Sequence, residues 1–339
     1  MTNDNKQQKL SDSTDTAIAY NTCYAQPFDT VIHSDFLNNN LPNKCANLII
    51  ADPPYFEVKG AFDFVWNSFD DYLKDVEKWA IECKRIIADN GTLFWYGHSR
   101  NIAYAQIIFD KHFNLINNLV WNKGSFMGLE QSDGLRSFAP CTERILMYSN
   151  MDDYKDRQLY IEPMISIREY INTERKRAGF SLDSMCGFLG LNDKGHGGIA
   201  YHWCSSKQPA MIPEKHYIKL QETGYFKKTY KALREEYEEL RKEYEELRRP
   251  FNNRFNLQEV LNFSNEQAKI GAKYDHDTVK PETLTRALIL TCSRKNDLVV
   301  VPFAGSGTEC LGVKELNRSF IGIEKEVKYY ELAVGRVFG

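Results

Sequence analysis

The chain has 339 residues, of which 42% are hydrophobic and 13% aromatic, and this composition provides a sizeable core and excludes general disorder. Because one core rarely grows beyond about 250–300 residues, the length predicts a large domain with a smaller one attached. The net charge of −3 excludes an overall basic protein, so any nucleic-acid-binding surface has to be local.

The eight cysteines contain no C-x-x-C pair, which indicates reduced thiols and suggests neither a zinc site nor a disulfide framework. Residues 1–26 are polar and predict a flexible N-terminal tail. This tail lacks the apolar core of a signal peptide, and no apolar run reaches the roughly 18 residues of a membrane span. These features predict a cytoplasmic protein without a membrane partner.

After the tail, strands and helices alternate. Residues 30–35 and 47–52 are short apolar runs ending in an acid, and both predict strands. Apolar residues recur at helical spacing from Phe69 to Asp89, and Asn90-Gly91 predicts a glycine stop before the buried strand GTLFWYGH. A helical stretch at 101–111 precedes two further strands, LINNLVWNK and ERILMYS. This alternation predicts a doubly wound, Rossmann-like α/β domain.

The middle of the chain, residues 151–270, is predicted to be helical. Residues 155–231 carry 13 Lys and Arg against 8 Asp and Glu. Within them, Ser181 is placed to cap a second helix and Gly190 lies in the turn that follows it. A helix-turn-helix unit and a plain three-helix packing module both fit. In the first interpretation the groove-facing helix supplies the candidate DNA contacts Lys194, His196, Tyr201, His202 and Trp203.

Residues 231–249 contain the repeat REEYEEL followed by RKEYEEL. The spacing places Leu233, Tyr237, Leu240, Tyr244 and Leu247 on one stripe of a helix. This pattern favours an amphipathic helix that packs on its own protein. A homodimer seam is the alternative, although two repeats are fewer than a coiled coil usually needs.

The α/β pattern resumes after residue 275. A helix opened by Pro281 is followed by the strand LVVV at 298–301, a glycine loop, a helix from Thr308, the strand FIGIE and a final helix. Residues 27–150 and 271–339 are therefore predicted to form one sheet domain, with the helical domain inserted between them.

The motif Asp52-Pro53-Pro54-Tyr55 directly follows an apolar strand. The amino group of a nucleobase is a poor nucleophile because its lone pair is delocalised into the ring. A carboxylate and a carbonyl that accept both amino hydrogens turn that lone pair toward a methyl donor. Asp52 and the Pro53 carbonyl suit this task, the prolines stiffen the loop, and Tyr55 offers a ring on which an extruded base can stack. The motif predicts a catalytic site.

A second motif, Phe303-Ala304-Gly305-Ser306-Gly307-Thr308, lies between a strand and a helix. The glycines allow close backbone approach, and the N–H groups at a helix start favour a carboxylate. Glu324 ends the next strand, 19 residues after Gly305, at a distance that suits a ribose diol. Cys310 replaces the third glycine of a dinucleotide site. The motif therefore predicts a nucleoside ligand with an acidic tail, such as S-adenosylmethionine.

With a D-P-P-Y stretch before a target-recognition region and an F-x-G-S-G-T loop near the C-terminus, the chain resembles the β group of DNA amino-methyltransferases. The resemblance runs from Phe28 to Ser149 and from Tyr274 to Val337. It implies an S-adenosylmethionine-dependent enzyme that uses no metal and recognises double-stranded DNA through residues 151–270.

The resemblance also implies roles for single residues. Asp52, Pro53 and Tyr55 would handle a flipped base, the 303–308 loop would line the cofactor, Glu324 would bind its ribose and Asp35 its adenine. Residues 276–281, HDTVKP, resemble the family's H-P-T-Q-K-P element, and Thr278 and Lys280 would contact the methionine end. The family usually has Asp before the Pro-Phe of the loop, whereas this chain has Val301, so that contact is not expected here.

The resulting prediction is methylation of adenine N6 in duplex DNA. The closest alternative is cytosine N4, whose family members more often begin the motif with Ser than with Asp. A protein-glutamine methyltransferase is disfavoured because such enzymes typically begin it with Asn. A non-catalytic DNA-binding regulator is the alternative from another class. The DNA recognition sequence, a companion restriction enzyme and dimerisation stay open.

Overall fold

The computed structural model describes residues 28–58, 63–124, 136, 138, 140–191, 198–264 and 279–339. The predicted tail and the candidates Lys194, His196 and Thr278 lie outside the described residues. The chain divides into two compact units, one formed by residues 1–151 with 250–339 and one by residues 152–249. We call them the sheet unit and the helical unit.

The sheet unit is built on eight strands among the described residues. They are β1 Thr30–His33, β2 Ala46–Ala51, β3 Ile87–Gly97, β4 Asn114–Asn122, β5 Thr142–Ser149, β6 Val260–Asn262, β7 Leu298–Val301 and β8 Ser319–Glu324. Their order across the sheet is β1-β8-β7-β2-β3-β5-β4-β6. All pairings are parallel except those of β5, which runs antiparallel to both β3 and β4. The predicted α/β, Rossmann-like fold is confirmed.

The helices of the described chain are numbered here in chain order. They are α1 Phe69–Ile86, α2 Ile102–Phe109, α3 Asp153–Arg177, α4 Leu182–Leu189, α5 Gly198–Cys204, α6 Glu214–Gln221, α7 Tyr230–Leu247, α8 Glu282–Cys292, α9 Thr308–Glu315 and α10 Val327–Phe338. None of these helices is both long and apolar enough to cross a membrane.

The sheet buries both of its faces, because successive side chains of a strand point to opposite sides. On β3, Leu93 and Trp95 pack into a core that includes α1 and α2. Phe94 and Tyr96 of the same strand pack into a second core that includes α8 and α9. The carboxyl ends of the central parallel strands therefore emerge between two layers of helices, which is where α/β folds bind ligands.

The predicted glycine stop after α1 is wrong. The helix ends at Ile86, and β3 runs from Ile87 straight through Gly91. A Cβ atom at Gly91 would lie 2.6 Å from Ile87 Cγ1 and 3.0 Å from the Ala46 carbonyl oxygen. The glycine thus permits a close approach beside β2, at a point where the β2–β3 register shifts.

The helical unit has its own core, formed by apolar residues of α3 to α7. The Ser181 hydroxyl accepts a hydrogen bond from the Ser184 N–H at 3.0 Å, and Gly190 closes α4 with a φ of 72°. Both predictions are confirmed, because a hydroxyl satisfies a free N–H at a helix start and glycine tolerates the left-handed region.

The repeat helix α7 packs against α3 within the helical unit. Leu233 is buried, and the other four residues of the predicted stripe are partly covered, whereas most of the charged residues between them are exposed. The stripe therefore has a partner inside its own chain, as the amphipathic interpretation predicted.

The predicted boundary of the helical segment at residue 270 is wrong. Residues 250–264 belong to the sheet unit, because β6 pairs with β4 in a register that aligns Val260 with Val120. The Trp121 indole N–H also donates to the Phe263 carbonyl at 2.8 Å. A three-residue edge strand leaves too short a hydrophobic pattern to be recognised in sequence.

Candidate active site

A cavity of about 1160 Å³ lies in the sheet unit, at the carboxyl ends of β1, β8, β7, β2 and β3. Both sequence motifs reach it, although they are some 250 residues apart. Its lining includes the predicted site residues Asp35, Asp52, Pro53, Pro54, Tyr55, Lys280, Phe303, Ala304, Gly305, Ser306 and Glu324. The fold therefore brings most of the described predicted residues to one place.

Asp52 stands directly after β2, and both of its oxygens are engaged. The Tyr55 hydroxyl donates to Oδ1 at 2.5 Å, and Lys280 Nζ lies 2.8 Å from Oδ2. Lys280 also lies 3.3 Å from Glu143 Oε2, while Lys123 lies 3.0 Å from Glu143 Oε1. The result is a chain of alternating charges that starts at the acid of the D-P-P-Y motif.

The members of this chain shift one another's pKa values. Burial raises the pKa of Asp52, and the Glu143 charge adds to this, while the Lys280 ammonium opposes it. Burial alone would lower the pKa of Lys280, but Asp52 and Glu143 outweigh it and the pKa is raised. Burial likewise works against ionisation of Glu143, yet Lys280 and Lys123 hold its pKa below the ordinary value. Lys280 is therefore a permanent cation and cannot serve as a base.

Three aromatic rings surround the Lys280 ammonium. Its Nζ lies 5.6 Å from the ring centre of Tyr55, 5.2 Å from that of Tyr96 and 5.8 Å from that of Trp121. Such contacts favour a cation that has lost its water. They stabilise Lys280 at a depth where its side chain is only 4% exposed.

The D-P-P-Y loop is held from two sides. The Tyr55 N–H donates to Asp63 Oδ1 at 2.5 Å, and the Asn101 side chain donates to the Phe56 carbonyl at 2.9 Å. These bonds come from outside the motif. They fix the position of Tyr55 beside Asp52 independently of any ligand.

The 303–308 loop after β7 is tied to the end of β8. The Gly305 N–H donates to Glu324 Oε2 at 2.7 Å, and the Glu326 N–H donates to Glu324 Oε1 at 2.9 Å. Burial raises the pKa of Glu324, while these N–H groups lower it. The Phe303 ring packs edge-on against Trp79, with centroids 5.1 Å apart. Loop and strand thus form one rigid wall of the cavity.

Two residues of the loop, Gly307 and Thr308, are not among the cavity-lining residues. Gly307 caps α9 with a φ of 75°, and Thr308 is buried, with its hydroxyl 3.1 Å from that of Ser306. Their contact with the ligand stays a prediction. In the structure they shape the turn that leads into α9.

Asp35 and Glu324 end neighbouring parallel strands. His33 of β1 aligns with Glu324 of β8, and the Ser34 N–H donates to the Glu324 carbonyl at 2.9 Å. Asp35 Oδ1 accepts from the Leu37 N–H at 2.9 Å, and its Oδ2 lies 3.1 Å from Lys325 Nζ. Two carboxylates thus line one end of the cavity, as the predicted ribose and adenine contacts require.

Several lining residues escaped the sequence analysis. Glu143 is the second residue of β5, Trp79 belongs to the apolar stripe of α1, and Glu309 is the second residue of α9. None belongs to a recognisable motif.

The described residues among the predicted DNA contacts in the helical unit differ in exposure. Tyr201 and His202 are exposed on α5. Trp203 is 1% exposed, and its ring lies 5.6 Å from that of His216. Trp203 as a groove contact is therefore wrong, because its side chain belongs to the core of the helical unit.

Fold and site together define a class of protein: an α/β domain in which a glycine loop after one strand shares a cavity with an acid and an aromatic ring after another. A family profile described as DNA methylase, of the N6/N4 methyltransferase type, matches residues 46–335. The chain belongs to this family of DNA methyltransferases, as the sequence resemblance predicted.

Two curated relatives agree with this assignment. The type II methyltransferase M2.LlaDCHI of Lactococcus lactis subsp. cremoris is 35% identical over 325 residues, covering 91% of this chain and 88% of the relative. The type II methyltransferase M.HinfI of Haemophilus influenzae is 25% identical over 328 residues, covering 91% and 68%.

Two solved structures share the fold. The PvuII DNA methyltransferase, described as cytosine-N4-specific, has a TM-score of 0.52 at 12% identity, with 91% of this chain and 86% of that chain covered. The complex of M1.HpyAVI with SAM has a TM-score of 0.50 at 18% identity, with 91% and 99% covered. At these identities the likeness concerns the fold alone.

The cavity fits S-adenosylmethionine, the cofactor that the sequence resemblance implied. Its volume is sufficient for a nucleoside with an amino-acid tail. Asp35 and Glu324 offer acceptors for hydroxyl and amino groups at one end. Glu309 Oε1 is a buried oxygen without a hydrogen-bond partner in the described structure. Val301, where the family usually has an acid, is buried at the end of β7 and offers no charge.

Proposed function

We propose that this DNA methyltransferase methylates N6 of an adenine rotated out of double-stranded DNA, with S-adenosylmethionine as the methyl donor. The observation that carries the proposal is the placement of Asp52 and Tyr55 on the cavity shared with the 303–306 loop. A base in that position would meet a carboxylate and an aromatic face together.

The cofactor, when bound, supplies an activated methyl group. The residues proposed to hold it are Asp35 and Glu324 for the nucleoside and the 303–306 loop for the remainder, with Thr278 proposed from sequence alone. Phe303 supports this wall through its packing on Trp79.

Asp52 accepts a hydrogen bond from the amino group of the target and aims its lone pair. In the structure Lys280 already occupies Asp52 Oδ2. The target amino group therefore displaces the Lys280 ammonium, which keeps its second partner, Glu143 Oε2, 3.3 Å away. Formation of the N–C bond, with cleavage of the methyl C–S bond of the donor, would leave one surplus proton on the target nitrogen. Asp52, whose pKa is raised by burial, is the acceptor in direct contact.

Adenine is proposed over cytosine because the motif begins with Asp, whereas N4-cytosine members of the resembled group more often begin it with Ser. Methylation of cytosine N4 is the second candidate, because its amino group makes the same demands on Asp52. The PvuII enzyme, named as cytosine-N4-specific, has the same fold.

The helical unit is proposed to recognise the DNA sequence, with Tyr201 and His202 as described contacts and Lys194 and His196 as further candidates. The exposed positions of Tyr201 and His202 support this. A companion restriction enzyme is proposed by analogy with the type II names of the relatives.

The test is incubation of the protein and labelled S-adenosylmethionine with unmethylated genomic DNA, followed by nuclease digestion and identification of the labelled nucleoside. We expect N6-methyladenine, and in Asp52→Asn a rate reduced by about 10²–10⁴, the usual effect of losing a positioned proton acceptor. Asp89→Asn is the matched control, because Asp89 is an exposed partner of Lys44.

Labelled N4-methylcytosine would overturn the base assignment and leave the roles of Asp52 and Tyr55 standing. DNA binding without any methylation, in protein that binds the cofactor, would favour the DNA-binding regulator.

A further inference from the structure

Glu309 is a buried acid that the proposed chemistry does not use. It is the second residue of α9, it is 6% exposed, and it lines the cavity that holds both motifs. Its Oε1 atom is buried and has no hydrogen-bond partner in the described part of the chain. A buried carboxylate in this condition is costly unless a cation or a proton joins it.

The other carboxylates that face the proposed ligands differ from Glu309. Each of the following has a partner on both of its oxygens: Asp35 with the Leu37 N–H and Lys325, Asp52 with Tyr55 and Lys280, Glu143 with Lys123 and Lys280, and Glu324 with the Gly305 and Glu326 N–H groups. Glu309 Oε1 therefore lacks a partner, whereas both oxygens of each of these four acids have one.

The position of Glu309 indicates which cationic group could pair with its carboxylate. It follows the 303–308 loop directly, so it borders the wall assigned to the cofactor. It is also close enough to Asp52 for that charge to act on it. The cofactor has two cations, a sulfonium and an α-ammonium, and only the ammonium has N–H donors to offer a carboxylate oxygen.

We propose that the Glu309 carboxylate binds the α-ammonium group of the cofactor's methionine moiety. This inference rests on the proposed use of S-adenosylmethionine, but not on which base is methylated. Glu309 thus acts as a binding residue that selects for an intact amino-acid tail.

The charge state of Glu309 supports this role. Burial, with a contribution from Asp52, raises its pKa to about 7, and the nearby cations Lys280 and Arg336 moderate the rise. Tyr96 and Cys310 are the other titratable groups coupled to it, and burial keeps both of them neutral. A bound ammonium lowers the pKa of Glu309, so ligand binding near pH 7 expels a proton.

The experiment compares wild type, Glu309→Gln and Glu315→Gln by isothermal titration calorimetry, without DNA. Glu315 is the matched control, because it lies at the opposite end of α9, where it pairs with Arg286 outside the cavity. The probes are S-adenosylhomocysteine, its deaminated analogue, and methylthioadenosine, which lacks the amino-acid tail. Thermal melts establish that each variant is folded.

We expect Glu309→Gln to weaken S-adenosylhomocysteine about 10- to 100-fold, as for loss of a hydrogen bond to a charged group. Binding of the two probes without the ammonium should change by less than about 2-fold. Wild type should release about half a proton per S-adenosylhomocysteine at pH 7, given a pKa of about 7, and almost none at pH 9. Glu309→Gln should release none.

Three results would overturn the inference. An equal loss of affinity for all three probes in Glu309→Gln would make Glu309 a structural residue. If S-adenosylmethionine, titrated in addition, lost affinity while S-adenosylhomocysteine did not, Glu309 would be assigned to the sulfonium. Slower methylation with unchanged binding would make Glu309 a proton acceptor. The proposed function fails separately: wild type that binds S-adenosylhomocysteine but methylates no DNA leaves the Glu309 inference intact.

Discussion

At the scale of single residues, the site is a set of buried acids and lysines whose pKa values depend on one another. Lys280 joins Asp52 to Glu143, and Lys123 ends the chain at the other oxygen of Glu143. Removing one member of such a set should lower the free energy of unfolding by more than one ion pair contributes, because a buried charge is left uncompensated. The set thus links the acidity of Asp52 to a residue 228 positions away in sequence.

Replacing Lys280 by Met should raise the pKa of Asp52 further, because the ammonium that opposes the effect of burial is lost. Asp52 would then need a higher pH to act as an acceptor. The acidic limb of the pH profile for single-turnover methylation should move up by about 1–2 units. Lys44→Met, which removes an exposed lysine, is the control. An unmoved profile would contradict the coupling of Lys280 to Asp52.

Glu309 should also make the ligand-free protein less stable as pH rises. Its pKa of about 7 lies above the ordinary 4.5, so the folded state binds more protons between these values. Stability is therefore lost as pH rises from about 4.5 to 7. Glu309→Gln should be more stable than wild type at pH 8, by on the order of 1–3 kcal/mol, and equal to it below pH 4.5. Urea unfolding at both pH values measures this, and an equal difference at both would exclude titration as the cause.

At the scale of elements, the start of α9 depends on one glycine. Gly307 has a φ of 75°, and a Cβ there would lie 3.0 Å from Ala333 Cα and 3.1 Å from Ala333 Cβ in α10. Both the backbone conformation and the space require glycine. Although Gly307 does not line the cavity, it sets the direction in which α9 presents Glu309 to it.

Gly307→Ala should destabilise the protein by about 1–3 kcal/mol and weaken cofactor binding, because the helix start has to shift. Gly335→Ala in α10 is the matched control, since that position is exposed and has no atom within 4 Å of the added Cβ. The control should be neutral or more stable by up to about 1 kcal/mol. Equal effects of the two substitutions, measured by chemical unfolding, would refute the steric role of Gly307.

At the scale of the whole molecule, acidic and basic residues are unevenly distributed along the helical unit. Residues 152–249 carry 18 Lys and Arg and 17 Asp and Glu, so the unit is almost neutral. The surplus of basic residues belongs to residues 155–231, whereas the last part of α7 is acidic. The phosphate backbone of DNA would therefore be attracted more strongly to the part of the helical unit that contains α3 to α6.

The double variant Tyr201→Ala/His202→Ala should weaken DNA binding and leave the affinity for S-adenosylhomocysteine unchanged, because the cavity proposed for the cofactor is lined by residues of the sheet unit. Loss of contacts at two exposed side chains should cost about 1–3 kcal/mol of DNA affinity. Fluorescence anisotropy with labelled duplex measures it at constant salt. Tyr154→Ala, an exposed tyrosine at the start of α3, is the control. Unchanged DNA affinity would remove α5 from the proposed interface.

Several features of this protein follow from the sequence by itself. The strand 298–301, the helix beginning at Thr308, the cap at Ser181 and the two motifs are local, because each depends on neighbours within a few positions. The family follows from the order of the motifs along the chain. Local patterns also misled, since Asn90-Gly91 has the composition of a helix stop but lies within β3.

Only the tertiary structure decided how distant residues meet. The pairing of β6 with β4, the burial of Trp203 and the contact of Lys280 with Asp52 all join residues far apart in sequence. The same holds for Glu143 and Glu309, which resemble ordinary surface acids until the sheet closes around them. Burial and neighbouring charge decide the state of an acid, and both are properties of the folded chain.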